Sequence, residues 1–210
     1  MIEIFAHRAI YENKDNSLEG IEYCLKSSFN VEIDVRKKDE SFYLSHDPQE
    51  NGDLFYMACE IIKRNSKKTA IHIKENFDIK NLVDFIYEYN IEKKCFIFST
   101  LQTYDDMKKF KNIKFAEYQN KFKNETFAKI LWCDESNEVW YDQKTFSEHK
   151  KNNRTIITMS KELLKPCEIG EIRNEWNRLI DLKVDGICTD FPLLLKEYLN
   201  EKGSEITRIL

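Results

Sequence analysis

The 210-residue chain predicts an α/β fold, a (β/α)8 TIM barrel formed by residues 1–210 as a single compact domain. Three observations lead there. Short apolar, β-branched runs recur eight times; longer stretches of helical periodicity separate them; no Pro/Gly/Ser-rich linker divides the chain. Alternating strand and helix signals call for a parallel sheet, and eight units in one domain favour a closed barrel over an open doubly wound sheet. An ordinary barrel takes roughly 250 residues, so this one has little room for insertions.

The strand signals run in order: IEIFA from Ile2, VEIDV from Val31, TAIHI from Thr69, CFIF from Cys95, IKFAE from Ile113, KILWC from Lys129, TIITM from Thr155 and DGICT from Asp185. Helical patterns follow over 17–26, 53–63, 79–89, 100–110, 124–129, 145–150, 169–182 and 192–199. Asp53, Asp78 and Thr100 stand where N-cap side chains accept hydrogen bonds from the first turn. Residues 36–45 have the pattern of a small hairpin, whereas 132–141 has no clear period.

Composition narrows the functional classes. Hydrophobic residues at 41%, with 14 Phe and 10 Tyr, exclude a disordered chain. Charged residues make up 33% but the net charge is only -4, so no overall basic field exists to hold nucleic acid. The apolar runs are too short for a transmembrane segment, and MIEIFAHR lacks the basic start and long apolar core of a signal peptide. A cytoplasmic location is expected. The six cysteines form no C-x-x-C pair and have no histidine at zinc-site spacing, so they read as reduced packing residues.

The chemistry gathers near the front of the chain. In an extended strand alternate side chains share a face, so Glu32 and Asp34 point one way while Val31, Ile33 and Val35 point the other. Two unpaired interior carboxylates would cost several kcal/mol per charge, roughly, so a cation or strong donors must meet them. His7-Arg8 ends the first strand, Ser45-His46-Asp47 follows the hairpin, His72 and Lys74 end the third strand, and Thr189-Asp190 ends the eighth. A barrel brings these strand ends into one mouth. His7 and His46, an arginine and paired carboxylates are the parts for metal-assisted phosphate chemistry.

These residues carry a resemblance. H-R after the first strand, D-N-S entering the first helix, V-E-I-D-V-R in the second strand, H-D after the hairpin and G-I-C-T-D-F-P at the eighth strand resemble the glycerophosphodiester phosphodiesterase family. The resemblance implies His7 and His46 as general acid and base, Arg8, Lys74 and Asn16 on the phosphate, and Glu32 and Asp34 on a divalent cation. It also implies departures. Ala9 stands where the family has glycine, Lys14-Asp15-Asn16-Ser17 retains only the asparagine of P-E-N-T, and His72 replaces a third-strand glutamate. The usual capping insertion before the third strand is missing. The family implies Mg²⁺ or Ca²⁺; His72, if a metal ligand, favours Mn²⁺ or Zn²⁺, because imidazole is softer and adds no charge.

The expected substrate is a small phosphodiester of glycerol or a related alcohol or sugar. Attack by an adjacent hydroxyl with release of a cyclic phosphate is a second reading, and a silent barrel that binds phosphate ligands is a third. The bland alternatives are also specific. The two acids can form a structural ion network with Lys74 and Arg36, His149 reads as a solvated helix residue, and Trp132, Trp140 and Tyr118 read as packing residues with substrate walls as the alternative. Oligomeric state is open.

Overall fold

A computed structural model describes residues 2–101, 104–110, 112–123 and 125–209. The strands are β1 (Glu3–Ala6), β2 (Asn30–Lys38), β3 (Ser41–Leu44), β4 (Thr69–Ile73), β5 (Cys95–Ser99), β6 (Lys114–Gln119), β7 (Ile130–Cys133), β8 (Thr155–Met159) and β9 (Gly186–Thr189). The helices are α1 (Leu18–Lys26), α2 (Phe55–Arg64), α3 (Ile79–Glu88), α4 (Tyr104–Met107), α5 (Gln143–Lys151), α6 (Ile169–Asp181) and α7 (Pro192–Ile209). β1 pairs in parallel with both β2 and β9, which closes the ring through β4 to β8. β3 lies outside that ring, antiparallel to β2, as the second arm of the expected hairpin.

Side-chain alternation divides the core into two layers. Phe5, Ala70, Phe96, Phe98, Trp132, Ile157 and Cys188 fill the barrel interior. The opposite strand faces pack on the helices, where Val31, Ile33 and Val35 meet Ile21, Leu25 and Ile62. Trp132 is thus a core residue, stacked on Phe98 at 4.5 Å between ring centres.

Several local expectations need correction. Residues 125–129 are not helical: Thr126 Oγ1 accepts from Ala128 N and donates to Glu117, so side-chain bonds take the place of a helical turn. Asn124 lies outside the described residues. Of the helix expected over 100–110, only Tyr104–Met107 is helical among the described residues, and 102 and 103 lie outside them. Asp78 does cap α3, through Lys80 N. Asp53 instead accepts from Leu18 N at the start of α1, and α2 begins after Leu54 without a side-chain cap. His149 is 1% exposed, with Nδ1 against Arg154 and its ring beside Phe122, because α5 turns this face inward. All six cysteines are free, and all but Cys167 are buried. No helix among the described residues is long and apolar enough to cross a membrane.

Candidate functional site

The front of the site is set by the turn after β1. His7–Ala9 forms a single 3-10 turn in which Arg8 and Ala9 have φ of 49° and 48°. This left-handed backbone is unfavourable for residues with a Cβ, and Ala9 adopts it where the resembling family has glycine. Gly20 makes the turn possible. A Cβ there would stand 2.1 Å from Ala9 O, so only glycine lets α1 approach so closely. The turn aims Arg8 N at Glu32 Oε2, 2.9 Å away, and sends the His7 ring towards β9.

Glu32 and Asp34 face the barrel interior on β2 and are 2% and 1% exposed. The register pairs Asp34 with His72 across β4, which puts His72 Nδ1 3.1 Å from Asp34 Oδ1 and 3.6 Å from Glu32 Oε1. His72 stacks on Phe98 at 4.4 Å, which fixes its ring plane. Asn16 uses both amide atoms on Asp34: Nδ2 donates to Oδ2 at 3.0 Å and Oδ1 accepts from Asp34 N at 2.8 Å. Arg8 Nε is 3.3 Å from Asp34 Oδ2 and Lys74 Nζ is 3.8 Å from Oδ1.

Charge explains the protonation states. Burial opposes the Asp34 carboxylate, yet His72, Lys74 and Asn16 outweigh it and hold its pKa well below the usual carboxylate range. Burial likewise opposes a charged His72, but hydrogen bonds and charges from Asp34 and Glu32 win and raise its pKa. The same balance raises His7: desolvation is overcome by the Asp190 hydrogen bond and by the negative charges of Glu32 and Asp190.

The donor set fits a divalent ion. Ligands about 2.1 Å from a metal and about 90–110° apart stand about 3.0–3.4 Å from one another, close to the separations around His72 Nδ1. Glu32, Asp34 and His72 offer ligand atoms that all lie within 4.8 Å of one another. Buried His72 Nε2 has no hydrogen-bond partner, so a tautomer with the proton on Nε2 frees Nδ1 as a ligand at the cost of an unpaired donor.

The structure therefore brings together His7, Arg8, Asn16, Glu32, Asp34, His72 and Lys74. His46 follows β3 on a segment whose Ser45 N donates to Asp34 O at 3.2 Å, with its ring Nδ1 3.0 Å from Asp47 and its side chain 35% exposed. Arg36 anchors this segment by donating from Nε and Nη2 to His46 O, at 3.1 and 2.7 Å. Arg36 then pairs with Glu75, so it does not neutralise Glu32 or Asp34, and the alternative ion network loses that member.

Two further residues belong to the arrangement. Asp190 Oδ1 holds His7 Nδ1 at 2.8 Å, and Glu162 accepts from Asp190 N and from Thr189 Oγ1. Asp190 was visible as the acid following the last strand. Glu162 has no comparable signal, since it comes from the short 3-10 turn Lys161–Leu163 after β8. On the far side of the mouth, Tyr118 donates to Asp134, and Trp140 Nε1 donates to Asp134 O at 2.6 Å.

The closed barrel is a frame that several phosphodiester-cleaving proteins of known structure share. The chain is similar to a protein of Galdieria sulphuraria assigned as a glycerophosphodiester phosphodiesterase, with TM-score 0.77, 12% identity, and 95% of this chain and 98% of that one covered. It is similar also to a glycerophosphodiester phosphodiesterase of Parabacteroides distasonis, with TM-score 0.75, 14% identity and coverage of 96% and 98%. A Ca²⁺-dependent phosphatidylinositol-specific phospholipase C of Streptomyces antibioticus aligns at TM-score 0.63 and 10% identity, covering 93% of this chain and 96% of that one. No protein-family model and no curated protein sequence matches the chain. At these identities the likeness shows the fold; the chemistry rests on the site.

Proposed function

We propose that the chain is a metal-dependent phosphodiesterase that hydrolyses a glycerophosphodiester or a related small alcohol or sugar phosphodiester. The observation that carries this reading is the Glu32–Asp34–His72 cluster beside Arg8, Lys74 and His7 at the barrel mouth. The names of the similar structures support it.

A phosphodiester resists attack because its anionic oxygens repel nucleophiles and its alkoxide leaves poorly. Glu32, Asp34 and His72 would hold a divalent ion, which would supply positive charge to the phosphate. Arg8 and Lys74 add charge on the same side, and Asn16 keeps Asp34 oriented while a second Nδ2 hydrogen is left for phosphate. His7, whose pKa is raised with the help of the Asp190 hydrogen bond, gives a proton to the departing alkoxide oxygen. His46, on its own segment, takes the proton from the attacking hydroxyl. Each such proton transfer is typically worth about 10²- to 10⁴-fold.

The attacking hydroxyl belongs either to water or to the glycerol beside the phosphate, and the second case gives a cyclic phosphate. Phosphorus NMR of a phosphodiester panel, run with Mg²⁺, Ca²⁺, Mn²⁺ or Zn²⁺, separates the outcomes. Accumulation of a phosphate monoester supports hydrolysis. A persistent cyclic phosphate establishes the lyase alternative, and unchanged substrate throughout refutes the enzymatic reading in favour of a ligand-binding barrel.

A further inference from the structure

The net charge of -4 conceals an uneven distribution. Four neighbouring strands enter the barrel from lysines: Lys68 precedes β4, Lys94 precedes β5, Lys114 opens β6 and Lys129 precedes β7. These lie at the N-terminal end of the barrel, opposite the mouth described above. With Lys93 and Lys108 they rim a cavity of about 570 Å³. Its floor includes Phe96, Ile130 and Ile157, the lowest layer of the barrel interior.

Among the described residues Glu3 is the one acid lining this cavity, and it is already paired with Lys68. Lys108 pairs with Asp105, and Lys94 donates to main-chain oxygens of Lys63 and Asn65. Lys93, Lys114 and Lys129 have no ion-pair partner among the described residues. Glu92 stands near Cys95 beside the rim without bonding to any of them. Three unmatched ammonium groups thus surround a concave apolar floor. The volume is in the range of small-molecule sites, about 300–1,000 Å³. It suits one small molecule and not a nucleic-acid strand. Lysines place mobile point charges at such a rim while their stems cover apolar surface.

We propose that this cavity binds a phosphate-bearing small molecule with an apolar or aromatic body, at a site separate from the catalytic mouth. The unpaired lysines take the phosphates and the Phe96–Ile157 floor takes the body. The assignment is independent of the phosphodiesterase reading, because no residue is shared between the two ends of the barrel.

The test is calorimetric titration of the full chain with ATP and with inorganic pyrophosphate. Saturable binding of ATP at one site, tighter than pyrophosphate, is expected, since only ATP offers a ring to the floor. The exposed triple variant Lys93→Ala/Lys114→Ala/Lys129→Ala should keep the wild-type melting midpoint and bind ATP about tenfold more weakly or worse, on the usual scale for three exposed charge contacts. A control triple, Lys26→Ala/Lys144→Ala/Lys183→Ala, and the mouth variant Arg8→Ala/Lys74→Ala should both retain wild-type affinity. The proposal is overturned by absence of saturable ATP binding, by equal weakening in the control triple, or by loss in the mouth variant. Equal affinity for pyrophosphate and ATP overturns the apolar part of the assignment.

Discussion

His7 Nδ1 and Asp190 Oδ1 stand 2.8 Å apart across the seam where the last barrel strand meets the first. The pair raises the His7 pKa above its ordinary value of about 6.5, against the effect of burial. Stability from this pairing is therefore fully present below the ordinary value and is lost as pH rises through the raised one. If charged His7 is the general acid, turnover falls on the alkaline side through the same raised pKa. Asp190→Asn removes the anionic partner and should move that limb to lower pH. The profile of kcat against pH checks this, together with NMR titration of His7; an unmoved limb excludes His7 as the titrating acid.

His7→Ala and His46→Ala should each lower kcat by about 10²-fold or more with the fold retained, as loss of a general acid or base predicts. Circular dichroism and steady-state kinetics on the best substrate provide the check. Because His46 lies on a segment tied down by Arg36, Arg36→Ala should reduce kcat in the same direction while His46 itself is intact.

Asn16 contacts Asp34 through both amide atoms, so Asn16→Ala should weaken metal binding by about 10- to 100-fold, the usual range when a ligand loses its support. Glu32→Ala and Asp34→Ala should abolish it. Calorimetric metal titration of the three variants measures the order, and wild-type affinity in all of them would remove the ion from this cluster.

His72 must shed a proton to serve as a ligand, and its raised pKa extends proton competition to higher pH than for an ordinary imidazole. Metal affinity should fall as pH drops through that raised value. His72→Glu restores a hard oxygen donor and a negative charge, and should shift preference from Mn²⁺ or Zn²⁺ towards Mg²⁺ or Ca²⁺. Activity of both proteins with the four metals at fixed pH gives the ranking; identical rankings place His72 outside the coordination shell.

Gly20→Ala should destabilise the chain by about 3 kcal/mol, the upper end for overpacking, because the clash at 2.1 Å is with backbone and not with a movable side chain. That outweighs the roughly 1 kcal/mol that alanine gains inside a helix. Urea unfolding checks the sign, and a neutral or stabilising result would mean that α1 does not press on the His7–Ala9 turn.

Much of this arrangement was legible in the sequence because β2 and β4 obey strict alternation. Glu32, Asp34 and Arg36 share one face by spacing alone, and the parallel register then delivers His72 opposite Asp34. What could not be read depended on contacts remote in the chain. His7 meets Asp190 across 183 residues, and Asp53 serves the first helix instead of its own. The expected helix fails over the described residues 125–129 because Thr126 and Glu117 satisfy the segment through side chains, a choice that periodicity does not encode. His149 was misread for the same kind of reason: its lysine-rich neighbours suggest a solvated face, whereas packing against Phe122 and Arg154 buries it.

The central claim is that phosphodiester turnover depends on one divalent ion in the Glu32–Asp34–His72 cluster. The most direct measurement is turnover of a glycerophosphodiester by metal-stripped protein as Mn²⁺ is added back in fractions of an equivalent. Turnover should start near zero, rise linearly and level off at one bound ion per chain, and Asp34→Ala should remain inactive throughout. Equal turnover in the stripped and reloaded protein would contradict the account.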